Sequence, residues 1–319
     1  MKKLSILIPA YNVENYIEEC VNSVLDLDTN YEIIIINDGS TDNTLKILNK
    51  YKKYEYIKII NQKNMGISRT RNNLLKEAKG KYIFFLDSDD FINKEKLKEL
   101  LKKLNNQDLV LFNYNIYNNL TKETNSNIFQ KEFEKMSDDK EEFFKIISKR
   151  NDLYLWTFLI KRELINKEKI DFLPYLFEDL QFLINVIYYS KTLEFINLNI
   201  VNYRINRDNQ VTTIHSYDNI SHRIIMSDLT IKQVKNYKLS KKIKKLLFSR
   251  IANIYYSAIP LIKDKSIEEQ ELLIDLINRY KYILKYSSNK TFILRVFMKI
   301  NKNLAYSLSN YVVKKFKLY

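Results

Sequence analysis

The first 112 residues carry five short, almost unbroken apolar runs: Leu4–Ile8, Glu32–Ile36, Tyr56–Ile60, Tyr82–Leu86 and Asp108–Phe112. Between them lie segments whose apolar residues recur at helical spacing. A strand with one wet face alternates apolar and polar residues, whereas a run apolar at nearly every position needs cover on both faces. A mostly parallel sheet flanked by helices supplies that cover, so the expected fold is α/β. Val13, Tyr16, Ile17, Cys20, Val21, Val24 and Leu25 form one such helical stripe, with Asn12 placed as its N-cap. In sheets of this kind ligands bind beyond the carboxyl ends of the strands, so the residues that follow each run are the candidate site.

Three of those ends are polar or acidic: Pro9-Ala10-Tyr11-Asn12, Asn37-Asp38-Gly39-Ser40-Thr41-Asp42 and Asp87-Ser88-Asp89-Asp90. Neither a G-x-G-x-x-G turn nor a G-x-x-x-x-G-K-[ST] loop is present, so the backbone cradles that hold dinucleotides or P-loop phosphates are missing. Asp87 and Asp89 offer the other route to a diphosphate. Two carboxylates two residues apart at a strand end are hard oxygen ligands for Mg²⁺ or Mn²⁺, which bridges to phosphate. Alone, such a triplet reads equally as a cap or turn, and Asn37–Asp42 alone reads as a β-to-α turn.

The order of the motifs resembles family 2 glycosyltransferases of GT-A fold. The matching pieces are Leu4-Ser5-Ile6-Leu7-Ile8-Pro9-Ala10-Tyr11-Asn12, Ile35-Ile36-Asn37-Asp38-Gly39-Ser40-Thr41-Asp42, Asn64-Met65-Gly66-Ile67-Ser68 with Arg71-Asn72, and Phe85-Leu86-Asp87-Ser88-Asp89-Asp90. The resemblance implies an inverting transferase that moves a hexose or N-acetylhexosamine from a UDP-sugar to a glycan hydroxyl, with Mn²⁺ or Mg²⁺ as cofactor. Carried over residue by residue, it implies that Pro9, Ala10, Tyr11 and Asn12 line the nucleotide pocket and that Asp38 accepts a hydrogen bond from the base. Asn64, Gly66, Ser68, Arg71 and Ser88 belong to the nucleotide-sugar site, Asp87 faces ribose or metal, and Asp89 is the principal metal ligand. In Phe177-Glu178-Asp179 it implies that Asp179 is the general base, which takes the acceptor's hydroxyl proton during attack on the anomeric carbon. A first-turn acidic pair favoured by the helix macrodipole is the other reading of Glu178-Asp179. Tyr203-Arg204 resembles the family's aromatic-Arg segment over the diphosphate, with Arg204 as a phosphate clamp or a surface arginine; His215 reads first as a loop histidine and second as a member of the same lid.

Several positions depart from the pattern. Trp156 is followed by Thr157 and Phe158 where the family has Asn and Lys, although Lys161-Arg162 keep the basic pair. Family-type polar contacts are not expected at these two positions, and Trp156 reads as core packing ahead of a platform that stacks on the acceptor. Leu74 stands where related sequences often carry glycine. A sugar-1-phosphate nucleotidyltransferase needs a glycine-rich loop after the first strand, and a processive synthase needs membrane spans and a Gln-x-x-Arg-Trp motif; the chain shows neither. The alternative from another class is a catalytically idle GT-A-fold scaffold.

Charge divides the chain. Residues 1–215 hold 32 basic and 31 acidic residues, residues 216–319 hold 21 and 7. Three regions are expected: 1–105 as the nucleotide-sugar half, 106–215 as the acceptor half with the base, and 216–319 as a basic helical appendage. In the appendage Ile243, Leu246, Leu247, Ile251, Ile254, Tyr255, Ala258 and Ile259 form one apolar stripe beside Lys241, Lys242, Lys244 and Lys245. Phe292, Ile293, Val296, Phe297, Ile300 and Leu304 form another. Such helices lie at anionic membrane surfaces or pack on a neighbouring domain; no nucleic-acid motif accompanies the charge. The opening residues lack a signal-peptide pattern, and Cys20 reads as a buried thiol. The expected location is therefore cytoplasmic, at the inner membrane face. The acceptor expected there is a glycan, lipid-linked or destined for surface polysaccharide or lipooligosaccharide. The chain's three glycines, Gly39, Gly66 and Gly80, all fall in its first 80 residues. Gly39 and Gly66 are expected where positive φ or close approach to the nucleotide is required, and Gly80 at the end of a helix.

Overall fold

A computed structural model describes residues 2–127, 140–150, 154–207 and 216–286. It divides into two compact units. The first comprises Met1–Lys140, Leu153–Pro174 and Phe182–Asp208, the second Glu141–Asp152, Tyr175–Gln181 and Asn209–Tyr319.

The first unit is built on one sheet. Its strands are β1 (Leu4–Ala10), β2 (Tyr31–Asp38), β3 (Ile57–Gln62), β4 (Tyr82–Phe85), β5 (Phe91–Ile92), β6 (Leu109–Asn118), β7 (Thr124–Asn127), β8 (Phe158–Lys161) and β9 (Leu193–Ile205). Their order is β3-β2-β1-β4-β8-β6-β9-β5, with β7 paired to β6. From β3 to β4 every pairing is parallel, with Ile6 opposite Ile33 and Phe84. All residues of β1 and β2 are buried, as their nearly unbroken apolar runs require, and the polar pair within them is satisfied by the bond that Ser5 Oγ donates to Glu32 at 2.6 Å.

Parallel order stops at β4. The Trp156 segment leads into β8, which runs antiparallel between β4 and β6, so that half of the sheet is mixed. β6 and β9 are again parallel to β4, through a bulge at Asn113. Four of the five expected runs are the parallel strands β1–β4, and the fifth is β6.

Helices α1 (Ile17–Ser23), α2 (Thr44–Asn49), α3 (Ile67–Glu77), α4 (Lys94–Lys103) and α6 (Arg162–Glu168) belong to this unit. In α4 the Asn93 side chain accepts from the Lys96 amide at 3.1 Å, and Leu97, Leu100 and Leu101 form the buried stripe. α1 begins later than its stripe implied, and Asn12 is not its cap. Asn12 sits at φ +51° with its side chain turned to the next loop. Gly80 ends no helix, since α3 stops at Glu77. A Cβ there would lie 2.4 Å from the Ser5 nitrogen and 2.5 Å from the Leu4 carbonyl carbon, so glycine is required by the close approach of β1. Trp156 is buried, stacked with Tyr154 and Tyr203 and edge-on to Tyr114.

The second unit is helical: α5 (Lys140–Lys149), the first turn of α7 (Glu178–Tyr189), α8 (Tyr217–Asn236), α9 (Lys241–Ala258) and α10 (Ile267–Tyr280). Ser266 and Glu269 make a capping box at the start of α10. The apolar stripe of α9 is an interior face: Ile243, Leu247, Ile251, Tyr255 and Ala258 are buried, and α9 packs on α8. Lys241, Lys242 and Lys245 remain exposed. The second expected stripe, Phe292–Leu304, and His215 lie outside the described residues. No helix among the described residues is long and apolar enough to cross a membrane.

Candidate functional site

The loops after β1 and β2 are tied to each other by side-chain hydrogen bonds. Asn12 Oδ1 accepts from the Thr41 amide at 2.8 Å, and the Asn12 amide donates to Ser40 Oγ at 3.0 Å. The Val13 amide donates to Thr44 Oγ1 and the Glu14 amide to Asp42. Pro9 and Ala10 are the buried last residues of β1, while Tyr11 next to them is 48% exposed. An exposed aromatic on a braced loop offers a face for a planar ligand.

Asp38, the last residue of β2, is 4% exposed. Its Oδ1 accepts from the Met65 amide at 2.8 Å and from Gln62 Nε2 at 2.7 Å, and its Oδ2 accepts from the Gly66 amide at 2.9 Å. Asp38 therefore shapes the Asn64–Ser68 loop. Of its roughly four lone-pair positions these three bonds leave one, on Oδ2. Gly39 at φ +72° passes so close that a Cβ would stand 2.7 Å from the Asn64 nitrogen, and Gly66 at φ +83° is the N-cap of α3. Asn64, Met65 and Gly66 are exposed; Ser68 and Arg71 are buried on the first turns of α3.

Arg71 reaches from α3 to Asp87, with Nη2 3.0 Å from Oδ1. Its neighbour Asn72 holds the Phe172 backbone by two hydrogen bonds of 2.8 Å. Beyond β4 the chain turns, the Asp90 amide donating to the Asp87 carbonyl at 3.0 Å. This turn gathers Asp87, Asp89 and Asp90, each with a carboxylate oxygen within 4.8 Å of the others. Ser88, Asp89 and Asp90 are buried and Asp87 is half-buried. Burial, countered by Arg207 and reinforced by Asp87, pushes the Asp89 carboxyl above the usual range. Burial and then the two neighbouring carboxylates push Asp90 further up. Burial, with the same three carboxylates, also raises the Cys20 thiol and keeps it protonated.

Three crowded carboxylates, two of them desolvated, are stabilised by a cation. Asp90 Oδ2 is buried without a hydrogen-bond partner among the described residues, and the Arg207 guanidinium rests against the Asp89 carboxylate. An all-oxygen donor set in this arrangement fits Mg²⁺ or Mn²⁺.

Arg204, expected as a phosphate clamp, is enclosed by protein partners. It is 3% exposed, within β9. Nε donates to the Asp89 carbonyl at 2.8 Å, Nη1 to Asn119 Oδ1 at 2.8 Å and Nη2 to Glu19 Oε2 at 2.5 Å. The rings of Tyr16, Phe91 and Tyr117 surround the guanidinium at 5.0–5.2 Å. The Arg204 amide donates to Asp90 Oδ1 at 2.8 Å, a contact set up by β5 pairing antiparallel to β9. Arg204 is a brace under the acidic turn. Arg207, which sequence reasoning passed over, lies beyond the carboxyl end of β9. The strand-end rule that picked out Asp38 and Asp87 could have found it.

Asp179 belongs to the second unit and is half-buried in the first turn of α7, next to buried Glu178. The preceding residue, Phe177, has φ +66°.

A sheet parallel from β3 to β4 and mixed beyond, with interlocked loops and a carboxylate cluster at its strand ends, is the arrangement of the GT-A fold. The chain belongs to glycosyl transferase family 2, whose model matches residues 5–168. It is 41% identical over 104 residues to the poly(ribitol-phosphate) β-N-acetylglucosaminyltransferase TarS of Staphylococcus aureus, 31% of this chain and 18% of that protein. It is 32% identical over 212 residues to the cholesterol galactosyltransferase of Borreliella burgdorferi, 61% of this chain and 58% of that protein. The chain thus spans less than two thirds of either relative. Among solved structures, S. aureus TarS 1–349 in complex with UDP-GlcNAc superposes with a TM-score of 0.76 at 21% identity, covering 98% of this chain and 92% of that one.

Proposed function

We propose that the chain is an inverting, metal-dependent glycosyltransferase that moves a hexose or N-acetylhexosamine from a UDP-sugar to a hydroxyl of a glycan acceptor. The observation that carries this reading is the convergence of Asp87, Asp89 and Asp90 at the end of β4, two strand ends from the loop that Asp38 holds. Family membership supports the transfer, and the UDP-GlcNAc held by the structurally similar TarS supports the choice of UDP.

In this reading the β1 and β2 loops and Asp38 bind the nucleotide, with Tyr11 against the base, while Asn64, Gly66 and Ser68 flank nucleotide and sugar. Asp89 and Asp87 hold the divalent ion, which, when bound, neutralises charge on the departing diphosphate. Arg71 orients Asp87, and Arg204 supports the turn from beneath. Arg207 moves from Asp89 to the diphosphate as a second cation. Asp179 takes the proton of the acceptor hydroxyl as it attacks the anomeric carbon. The basic stretch 216–319 favours an acceptor presented at an anionic membrane surface, such as a lipid-linked glycan. Lysines supply that attraction, because the apolar side of α9 is spent on packing.

The test is nucleotide release from a panel of nucleotide sugars with Mn²⁺ or Mg²⁺, with and without lipid-linked and oligosaccharide acceptors. Asp179→Asn is expected to abolish turnover and keep UDP affinity, whereas Asp89→Ala loses metal-dependent UDP binding. A panel in which no donor is turned over and no nucleotide bound refutes the enzyme reading.

A further inference from the structure

The turn that leads into Glu178-Asp179 is held from one side by helix α8. The Leu176 amide donates to Nδ1 of His222 at 3.2 Å, so this nitrogen is the acceptor and His222 must be unprotonated there. Tyr175 meets the same imidazole edge-on, with ring centroids 5.3 Å apart. One residue along α8, the Arg223 guanidinium lies over the Phe177 ring at 4.4 Å, and Arg223 Nη1 reaches Ser257 Oγ of α9 at 3.4 Å. Phe177 adopts φ +66°, a conformation that a bulky side chain leaves unless its surroundings hold it. Three successive residues, Tyr175, Leu176 and Phe177, are thus gripped by two adjacent residues of one helix.

We infer that His222 and Arg223 are positioning residues for Asp179: they fix the left-handed turn at Phe177 and so set the direction in which the first turn of α7 presents its carboxylate. This rests on the reading of Asp179 as the base. It gives helix α8, which lies beyond the residues matched by the family model, a role in the reaction besides any contact with an anionic surface. Burial holds the His222 imidazole below its ordinary range, against the pull of Asp218 on the same helix, which keeps Nδ1 available as an acceptor.

Two measurements on the full chain separate the brace from the base. In the first, hydrogen exchange with fragmentation to single residues is followed at the Leu176 amide in wild type, His222→Leu and His222→Asn. Asparagine can place an oxygen near the position of Nδ1. Exchange is expected to be slow in wild type, fast in His222→Leu and slow again in His222→Asn. Equal exchange in wild type and His222→Leu overturns the brace, whatever Asp179 does.

In the second, turnover of the donor identified by the panel is compared. His222→Leu and Arg223→Met are expected to lower kcat by about 10- to 100-fold with donor KM unchanged, the size of effect that a misplacement of about 1 Å produces. His222→Asn is expected to recover most of the loss. Wild-type kcat in both His222→Leu and Arg223→Met, alongside an inactive Asp179→Asn, overturns the positioning role and leaves the base standing. An active Asp179→Asn instead removes the base, and with it the positioning role, while the exchange result still judges the brace. Should His222→Leu fail to fold, Arg223→Met and His222→Asn carry the same comparison.

Discussion

Arg204→Met separates a brace from a clamp. Methionine keeps much of the apolar length of the side chain and removes its charge. Three charge-assisted hydrogen bonds go with it, to Asp89, Asn119 and Glu19, each worth about 1.5–3 kcal/mol when buried. Glu19 is 53% exposed and recovers its loss by hydration, so that bond counts for little. What remains is the bond to the Asp89 carbonyl, part of the bond to Asn119, and contact with three rings at about 0.5–2 kcal/mol each. The terms overlap, and the carboxylates above lose a compensating cation, which brings the expected cost to about 3–5 kcal/mol. For a unit of this size that is a fall in melting temperature of roughly 10 °C, readable by differential scanning calorimetry, with loss of Mn²⁺ binding by titration calorimetry. An exposed phosphate clamp behaves in the opposite way: its removal leaves stability within about 0.5 kcal/mol and raises donor KM. An unchanged melting temperature together with a raised KM would refute the buried-brace reasoning.

Gly80→Ala is expected to cost about 1–3 kcal/mol or more, measured by urea denaturation, because the new methyl meets the Leu4–Ser5 backbone, and turning the Ser5 hydroxyl aside would not relieve that clash. Asp38→Asn leaves one acceptor where the Met65 and Gly66 amides need two, so the loop should loosen by about 1–3 kcal/mol and donor KM rise up to about 100-fold with kcat nearly kept. Glu32 gives a pH signature. Burial pushes its carboxyl up, but hydrogen bonds from Ser5, the Lys79 amide and Lys2 outweigh that and hold it below the ordinary value of 4.5. A depressed folded value means stability that is present above about pH 4.5 and lost as pH falls through the folded value. Wild type should therefore exceed Glu32→Gln in urea midpoint at pH 7, with the gap closing on acidification towards pH 3.

The parallel half of the sheet was legible because its chemistry is local. Ile33, Ile34, Ile35 and Ile36 admit no wet face, and Asp38 and Asp87 stand where parallel strands end. The mixed half was not, since Phe158–Lys161 is a four-residue run whose antiparallel place between β4 and β6 is fixed by partners far along the chain. The partners of Arg204 were not legible for the same reason, since the β5–β9 pairing brings it under Asp89. Gly80 depends on the approach of β1, some 75 residues earlier, and the α9 stripe had the same spacing for a membrane as for a neighbouring helix. Nothing in the pattern around Phe177 announces a left-handed residue, which is held there by side chains of α8.

The most direct measurement is a crystal structure of the chain with UDP and Mn²⁺. Anomalous scattering is expected to place the ion between the diphosphate and the carboxylates of Asp87 and Asp89, with Arg207 withdrawn from Asp89 and Tyr11 against the base. UDP bound elsewhere, or a Mn²⁺ peak away from Asp87–Asp90, would contradict the donor site proposed for this fold.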